Sequence, residues 1–517
     1  MTDAGTGSLP SGARSDARCT DLAFGSVRAP RFFCARVVCA RVVPTRVFRT
    51  PDRQDISVAP RRFDPLRIRA RGTLRRKHRQ MRRVSHKTFR YALVLCGAAL
   101  VALLSLAFAW MAEVALAWNA RWTTAAPWAA LIVLPCALAA IRWLTLRLAP
   151  YARGSGIPQV IASTTLPVET GQAGLVSLRQ ALWKMPLTAA ALLAGASVGR
   201  EGPSVQVGAA TMLAWGRYWQ ARAGVRLGFR AHELVAAGAA GGLAAAFNTP
   251  LAGVVFAIEE LGRGAGVRWD RLALSGVLCS GFIALAIAGN NPYFHIDDPM
   301  QWASAAWGWT LVCALVNGVL GGVFAATLIR GAAGVVPAAW RAWVVAHPVR
   351  LAFVCGIVVA VLGWLTQGET YGTGYEASAA LLNGHPIESP GFGLAKWVAT
   401  VASYFAGIPG GIFTPALAIG AGIGEHLVQL AGPVTDPRTL ALLSMAAFLA
   451  AATQAPITAS VIVMEMTRSQ DLMFHLLVAT LLASLVSRQF CPRPFYHAVA
   501  LRFRKEAIAD APGASSP

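Results

Sequence analysis

The feature that most limits this chain is a recurrence of apolar stretches close to bilayer length, several of them cut by glycine and proline. They run Tyr91 to Trp110, Pro127 to Leu146, Leu272 to Ala288, Trp309 to Ile329, Leu351 to Leu365, Trp397 to Ile423, Leu440 to Met464 and Met473 to Val486. A helix needs about 20 apolar residues to cross hydrocarbon. With 55% hydrophobic and 14% charged residues among 517, the chain carries more apolar side chains than one water-soluble core can hide. It reads as an all-α multi-span membrane protein. Broken spans leave backbone groups unpaired, and a bilayer tolerates these only where they are packed in protein or line a polar cavity.

One such break is Gly199-Arg200-Glu201-Gly202-Pro203, which lies between an apolar run ending at Val198 and another reaching Trp215. A carboxylate at bilayer depth costs about 2.5 to 3.5 kcal/mol on insertion scales, so Glu201 needs a compensating reason to be there. The glycines permit a sharp turn, and Pro203 suits the first turn of a following helix, where its missing N–H is not needed. Such a helix start presents unpaired N–H groups and attracts anions. An acid on the same turn competes for that position, and its protonation would couple protons to anions. The competing reading, that Glu201 caps its own helix or pairs with Arg200, is equally open on these five residues.

Two further motifs have the same grammar. Gly154-Ser155-Gly156-Ile157-Pro158 sets one hydroxyl between two glycines ahead of a helix; Ser155 is an uncharged donor for an anion or an ordinary N-cap. Gly410-Gly411-Ile412-Phe413-Thr414-Pro415 copies the glycine-to-proline spacing without an acid. The second half also repeats Ala244 to Glu259 at an offset of 206, which places Pro250 on Pro456, Val255 on Val461 and Glu259 on Glu465. Two halves with the same order of broken helices indicate internal duplication, with a site at the interface between them. Glu259 and Glu260 close the first copy: both are solvated at a membrane edge, or one faces water and the other the protein, because adjacent helical positions differ by about 100°. Near the end, Tyr496 follows Pro492 and Pro494 and is either a second hydroxyl donor or an interfacial anchor.

Charge and cysteine content narrow the classes. Of the net charge of +23, residues 1–90 carry +16, from 22 Lys+Arg against 6 Asp+Glu, which predicts a cytoplasmic N-terminus by the positive-inside bias. Residues 1–88 are expected to be disordered and to lie against anionic lipid, with Met81 as an alternative start. No nucleic-acid fold or motif accompanies the arginines, so no nucleic-acid partner is expected. The nine cysteines contain no C-x-x-C pair, and no metal site or cofactor is indicated. H-E-x-x-H does not occur and the nine histidines are scattered singly, so an intramembrane hydrolase, and an enzyme generally, is disfavoured.

With the motifs Gly154 to Pro158, Gly199 to Pro203 and Gly411 to Pro415 in this order, joined by Phe247-Asn248-Thr249-Pro250 and Tyr496, the chain resembles the CLC family of chloride channels and chloride/proton antiporters over residues 89–502. The resemblance implies two inverted-topology repeats, 89–290 and 291–502, with a short tail over 503–517. It implies a homodimer in the cell (inner) membrane whose subunits each conduct chloride, the bound substrate. In that family the central anion is held by Ser155, Tyr496 and the N–H groups of Ile412 and Phe413, and the outer one by N–H groups around Arg200, Glu201 and Gly202. The resemblance makes Glu201 the gating glutamate and Glu260 the internal proton acceptor, which favours an exchanger over a voltage- or pH-gated passive channel. Lys184 matches a buried lysine of some bacterial members, but Ile161 stands where their nearby acid would be. Ser155 disfavours nitrate selectivity, the intact gating motif with Tyr496 disfavours fluoride export, and no CBS domain is evident.

Overall fold

The computed structural model describes residues 65–510 except 167–172, 224–229, 264–270, 298–305, 390 and 432–435. The chain divides into two units, Met1–Arg71 and Gly72–Pro517, and the spans and the site belong to the second. Up to residue 288 the order is α1 (Pro65–Ala125), α2 (Ala130–Leu148), α3 (Ile157–Thr165), the single turn α4 (Ala173–Leu175), α5 (Leu178–Ala194), α6 (Glu201–Ala223), α7 (Ala231–Phe247), α8 (Pro250–Phe256) and α9 (Arg271–Ala288). Then come α10 (Ala306–Arg330), α11 (Ala332–Val335), α12 (Ala338–Ala346), α13 (Pro348–Leu365), α14 (Tyr375–Leu382) and α15 (Phe392–Phe405). The last group is α16 (Phe413–Ala431), α17 (Pro437–Thr453), α18 (Pro456–Thr467), α19 (Met473–Phe490) and α20 (Phe495–Ala509). Among the described residues, six stretches are long and apolar enough to cross a membrane: Thr88–Ala125, Pro127–Leu148, Arg271–Ala288, Trp307–Arg330, Pro348–Leu365 and Gln470–Phe490.

Two expected spans are each two helices. Trp397 to Ile423 is split between α15 and α16 by a connection containing Pro409, Gly410 and Gly411. Leu440 to Met464 is split where Gln454 turns left-handed (φ 59°) ahead of Pro456, which has no N–H to continue a helix. Asn248, 206 residues earlier, has φ 58° ahead of Pro250. The ends also depart from expectation. Helix α1 reaches back to Pro65 through a stretch of good helix formers, so residues 65–88 are helical where disorder was expected. Helix α20 continues through residues 503–509, expected to belong to a loose tail, because Phe503 and Ala507 are buried and Glu506 pairs with Arg153. The remaining head, residues 1–64, and the tail, 511–517, lie outside the described residues.

The internal repeat is also a packing repeat. Helix α6 lies on α7, α7 on α8 and α9, and α8 on α9; α16 lies on α17, α17 on α18 and α19, and α18 on α19. Small residues set both close contacts. A Cβ on Gly208 would stand 2.2 Å from the Gly238 carbonyl oxygen, and one on Gly420 would stand 2.5 Å from that of Ser444.

Where α8 meets α18 the copies exchange carboxylates. Glu259 accepts from the Thr458 N–H (2.6 Å), the Thr458 hydroxyl (2.7 Å) and the Ile457 N–H (3.3 Å), while Glu465 accepts from the N–H groups of Ala252 (2.6 Å) and Leu251 (3.1 Å). Each acid thus neutralises the exposed amides at the start of the other copy's helix. Glu259 is therefore neither simply solvated nor free. Glu259→Ala or Glu465→Ala should each lower stability by about 1 to 2 kcal/mol, the upper range for loss of a helix cap. Thermal unfolding of the detergent-solubilised protein should show the drop for both; an unchanged midpoint would mean the reciprocal caps contribute nothing.

Candidate functional site

Three of the motif loops are joined by backbone pairs. Gly154 donates to the Ile408 oxygen (2.9 Å) and accepts from the Gly410 N–H (3.2 Å), and Gly199 and Gly411 exchange two bonds of 2.7 Å. These pairs bring together the starts of α3, α6 and α16. The start of α20 joins them because the Tyr496 ring stacks on Phe413, with centroids 5.9 Å apart and planes at 15°. The turns are too close for side chains: a Cβ on Gly202 would stand 2.2 Å from Ser155 Oγ. Among the described residues, no acceptor takes the N–H groups of Gly202, Ile412 or Phe413. First-turn amides have no partner within their own helix, so these tips offer donors and positive dipole ends to a common centre.

Ser155 and Tyr496 are 3% and 1% exposed. Their hydroxyls are neighbours, but neither makes a hydrogen bond of ordinary geometry. The N-cap of α3 is Gly156 with no side-chain cap, so Ser155 is not occupied in capping. Glu201 is wholly buried and folds back against its own turn, with Oε2 2.4 Å from where a Cβ on Gly199 would stand. Its carboxylate lies beside the Thr414 hydroxyl, the Thr414 N–H and its own N–H, without closing an ordinary hydrogen bond to any of them. It does not pair with Arg200. That guanidinium donates to the Ala109 oxygen (2.6 Å) and to Glu113 Oε1 (2.8 Å) on α1. The acid therefore sits where amide tips meet, with no cation bonded to it.

Glu260 occupies a π-helical turn, Ala257–Leu261, that continues α8. A π turn shifts the positions that follow it around the helix and is frequent at functional sites. Glu260 is 1% exposed, with Arg263 Nη1 3.7 Å from Oε2 and His497 Nδ1 3.3 Å from Oε1. It shares a narrow crevice with Phe256, Phe413, Thr453 and Tyr496. The structure thus brings together Ser155, Glu201, Gly202, Ile412, Phe413 and Tyr496, turns the Arg200 side chain away, and sets Glu260 in the crevice that Tyr496 lines.

Several partnerships at this site were not read from the sequence. Fully buried Lys184 donates to Gln206 Oε1 (2.8 Å), and the Gln206 amide donates to the oxygens of Leu175 (2.7 Å) and Tyr151 (3.3 Å). Glutamine on α6 thus takes the place of the acid that Ile161 replaces. Thr414 is buried with its hydroxyl unpartnered beside Glu201, and His497 follows Tyr496 on the turn that meets Glu260. For Glu465 a signal was present: the 206-residue offset that maps it on Glu259 also maps Leu251 and Ala252 on Ile457 and Thr458.

The profile of the family described as "Voltage gated chloride channel" matches residues 136–488. Proteins of Salmonella agona (strain SL483) and Salmonella newport (strain SL254), both named H(+)/Cl(-) exchange transporter ClcA, are 29% identical over 412 residues, covering 72% of this chain and 79% of theirs. Among solved structures, a slow cyanobacterial Cl-/H+ antiporter superposes with TM-score 0.67 at 24% identity, covering 81% of this chain and 98% of that one. A eukaryotic CLC transporter superposes with TM-score 0.64 at 20% identity, covering 80% and 74%. The fold is the CLC fold, built from two inverted-topology repeats with broken helices.

The narrowness of the Gly202 turn gives a direct test. Gly202→Ala should push the Ser155 hydroxyl aside and weaken chloride binding about tenfold, which corresponds to about 1.4 kcal/mol. Calorimetric titration with chloride measures this, and unchanged affinity in a folded variant would show that the turn has room to spare.

Proposed function

We propose that this chain, which belongs to the voltage-gated chloride channel family, exchanges chloride for protons across a membrane. The observation that carries the reading is the wholly buried Glu201 carboxylate at the meeting of the α6 and α16 tips, with its neighbouring arginine engaged elsewhere. A negative oxygen there occupies a position suited to a negative ion. Amide dipoles make a site that is weak enough to release its ion, and conduction requires this.

In this reading chloride is held by the N–H groups of Ile412 and Phe413 and by the hydroxyls of Ser155 and Tyr496. An outer position is served by the backbone of Arg200, Glu201 and Gly202. Ionised Glu201 takes the outer position itself, and protonation removes the charge that holds it there and lets it swing out. Glu260, sharing a crevice with Tyr496, is the buried acid that hands protons inward. A carboxylate so placed accepts and releases a proton without any cofactor. The same reading gives a homodimer in the cell membrane, with the basic residues ahead of α1 on the cytoplasmic side. No enzymatic step is assigned.

Flux assays in proteoliposomes test this reading. Glu201→Ala should keep chloride flux within a few-fold of the parent and abolish chloride-driven proton movement, and Glu260→Gln should do the same. Proton pumping that survives Glu201→Ala would end the exchange scheme; a reversal potential in the parent protein that ignores a pH gradient would mean a passive channel instead.

A further inference from the structure

His497 sits between Glu260 and a pocket that opens beside α20. Its Nδ1 is 3.3 Å from Glu260 Oε1, and the residue also lines a cavity of about 270 Å³ with Ile161, Thr165, Arg493, Leu501 and Arg504. Its side chain is 23% exposed, whereas that of Glu260 is 1% exposed. Neither ring nitrogen and neither Glu260 oxygen makes a hydrogen bond. Two groups able to carry a proton thus face each other inside the protein, with the Arg263 guanidinium 3.7 Å from the other Glu260 oxygen. Glu260 thus touches a ring that lines the pocket and shares the crevice with Tyr496.

The geometry points to His497 as the proton carrier that loads Glu260 from the aqueous pocket. This assignment rests on the exchange reading above. Both ring nitrogens are buried in the structure, so the ring turns toward the pocket to take a proton from water on one nitrogen, then turns back and passes the Nδ1 proton to Glu260 Oε1. That leaves a neutral imidazole in the other tautomer, which a ring reorientation resets. The proton is conserved and no other reactant is needed. Imidazole suits the step because it charges and discharges near neutral pH. A separation of 3.3 Å is close to the reach needed for transfer. The charged groups around the pair are Arg263, 3.7 Å from Glu260 on the same segment, and Arg493 and Arg504 along the pocket wall; α3 contributes only Ile161, Ala162 and Thr165.

The test is chloride-driven proton uptake by proteoliposomes holding the full chain, with chloride flux recorded in parallel. His497→Ala should slow proton movement about tenfold or more, within the range for loss of a general acid-base group. Chloride flux should stay within about twofold, and imidazole added on the α20 side should restore the proton rate, because the carrier is replaced by a free one. His497→Asn, polar but unable to titrate, gives the same reading should the alanine variant fail to fold. A proton rate equal to the parent's, or a loss that imidazole leaves unchanged, would overturn the assignment. Glu260→Gln and Glu201→Ala run alongside separate the two ideas: proton pumping that survives Glu201→Ala ends the exchange scheme, pumping that survives Glu260→Gln shows Glu260 to be structural and removes the relay with it, and loss in Glu260→Gln but not in His497→Ala removes the relay alone.

Discussion

The structure depends on the two hydrogen bonds of 2.7 Å that Gly199 and Gly411 exchange across the duplicated halves. They fix the α6 and α16 tips against each other, and the Gly154 pairs with Ile408 and Gly410 fix the α3 tip alongside. Backbone pairing at bilayer depth is nearly obligatory, since an unpaired amide in hydrocarbon costs several kcal/mol. The chain meets that demand unevenly. The loops pair, and the first-turn amides beyond them do not. What remains unpaired points at one place.

The charged side chains near this centre are mostly engaged. Arg200 is held by Glu113 and Ala109, and Lys184 by Gln206. Lys396, also fully buried, donates to the oxygens of Thr370 (2.8 Å), Tyr371 (3.3 Å) and Gly372 (2.9 Å). With these cations committed to neighbours, an anion in the centre meets mainly dipoles and hydroxyls, each worth at most about 2 kcal/mol at a helix end. The acids follow a division of labour set by the repeat. Glu259 and Glu465 each close the other copy's helix, while Glu260 and Glu201 are left without an ordinary hydrogen bond.

Much of this was legible in the sequence. The broken spans, the three glycine-proline turns and the 206-residue offset carry the fold, because backbone punctuation and internal duplication survive as local patterns. Ser155, Glu201 and Tyr496 could be singled out as candidates because a hydroxyl or an acid at a helix start is a local signal too. What the sequence concealed depends on pairing across the repeat. Nothing around Arg200 says that its partner is Glu113, 87 positions away, and nothing around Glu259 says that its amides belong to α18. The division of residues 397–423 and 440–464 into two helices each was blurred for a related reason: both halves of each pair are apolar, and only the short turns at Gly407 to Ile412 and Gln454 to Ala455 mark the break.

The central claim is that the α6 and α16 tips and the Ser155 and Tyr496 hydroxyls surround one bare halide. Anomalous diffraction from crystals grown in bromide tests it most directly. A peak within hydrogen-bond reach of the Ile412 and Phe413 N–H groups and both hydroxyls is the predicted result. Bromide bound elsewhere, with none between those four groups, would contradict it.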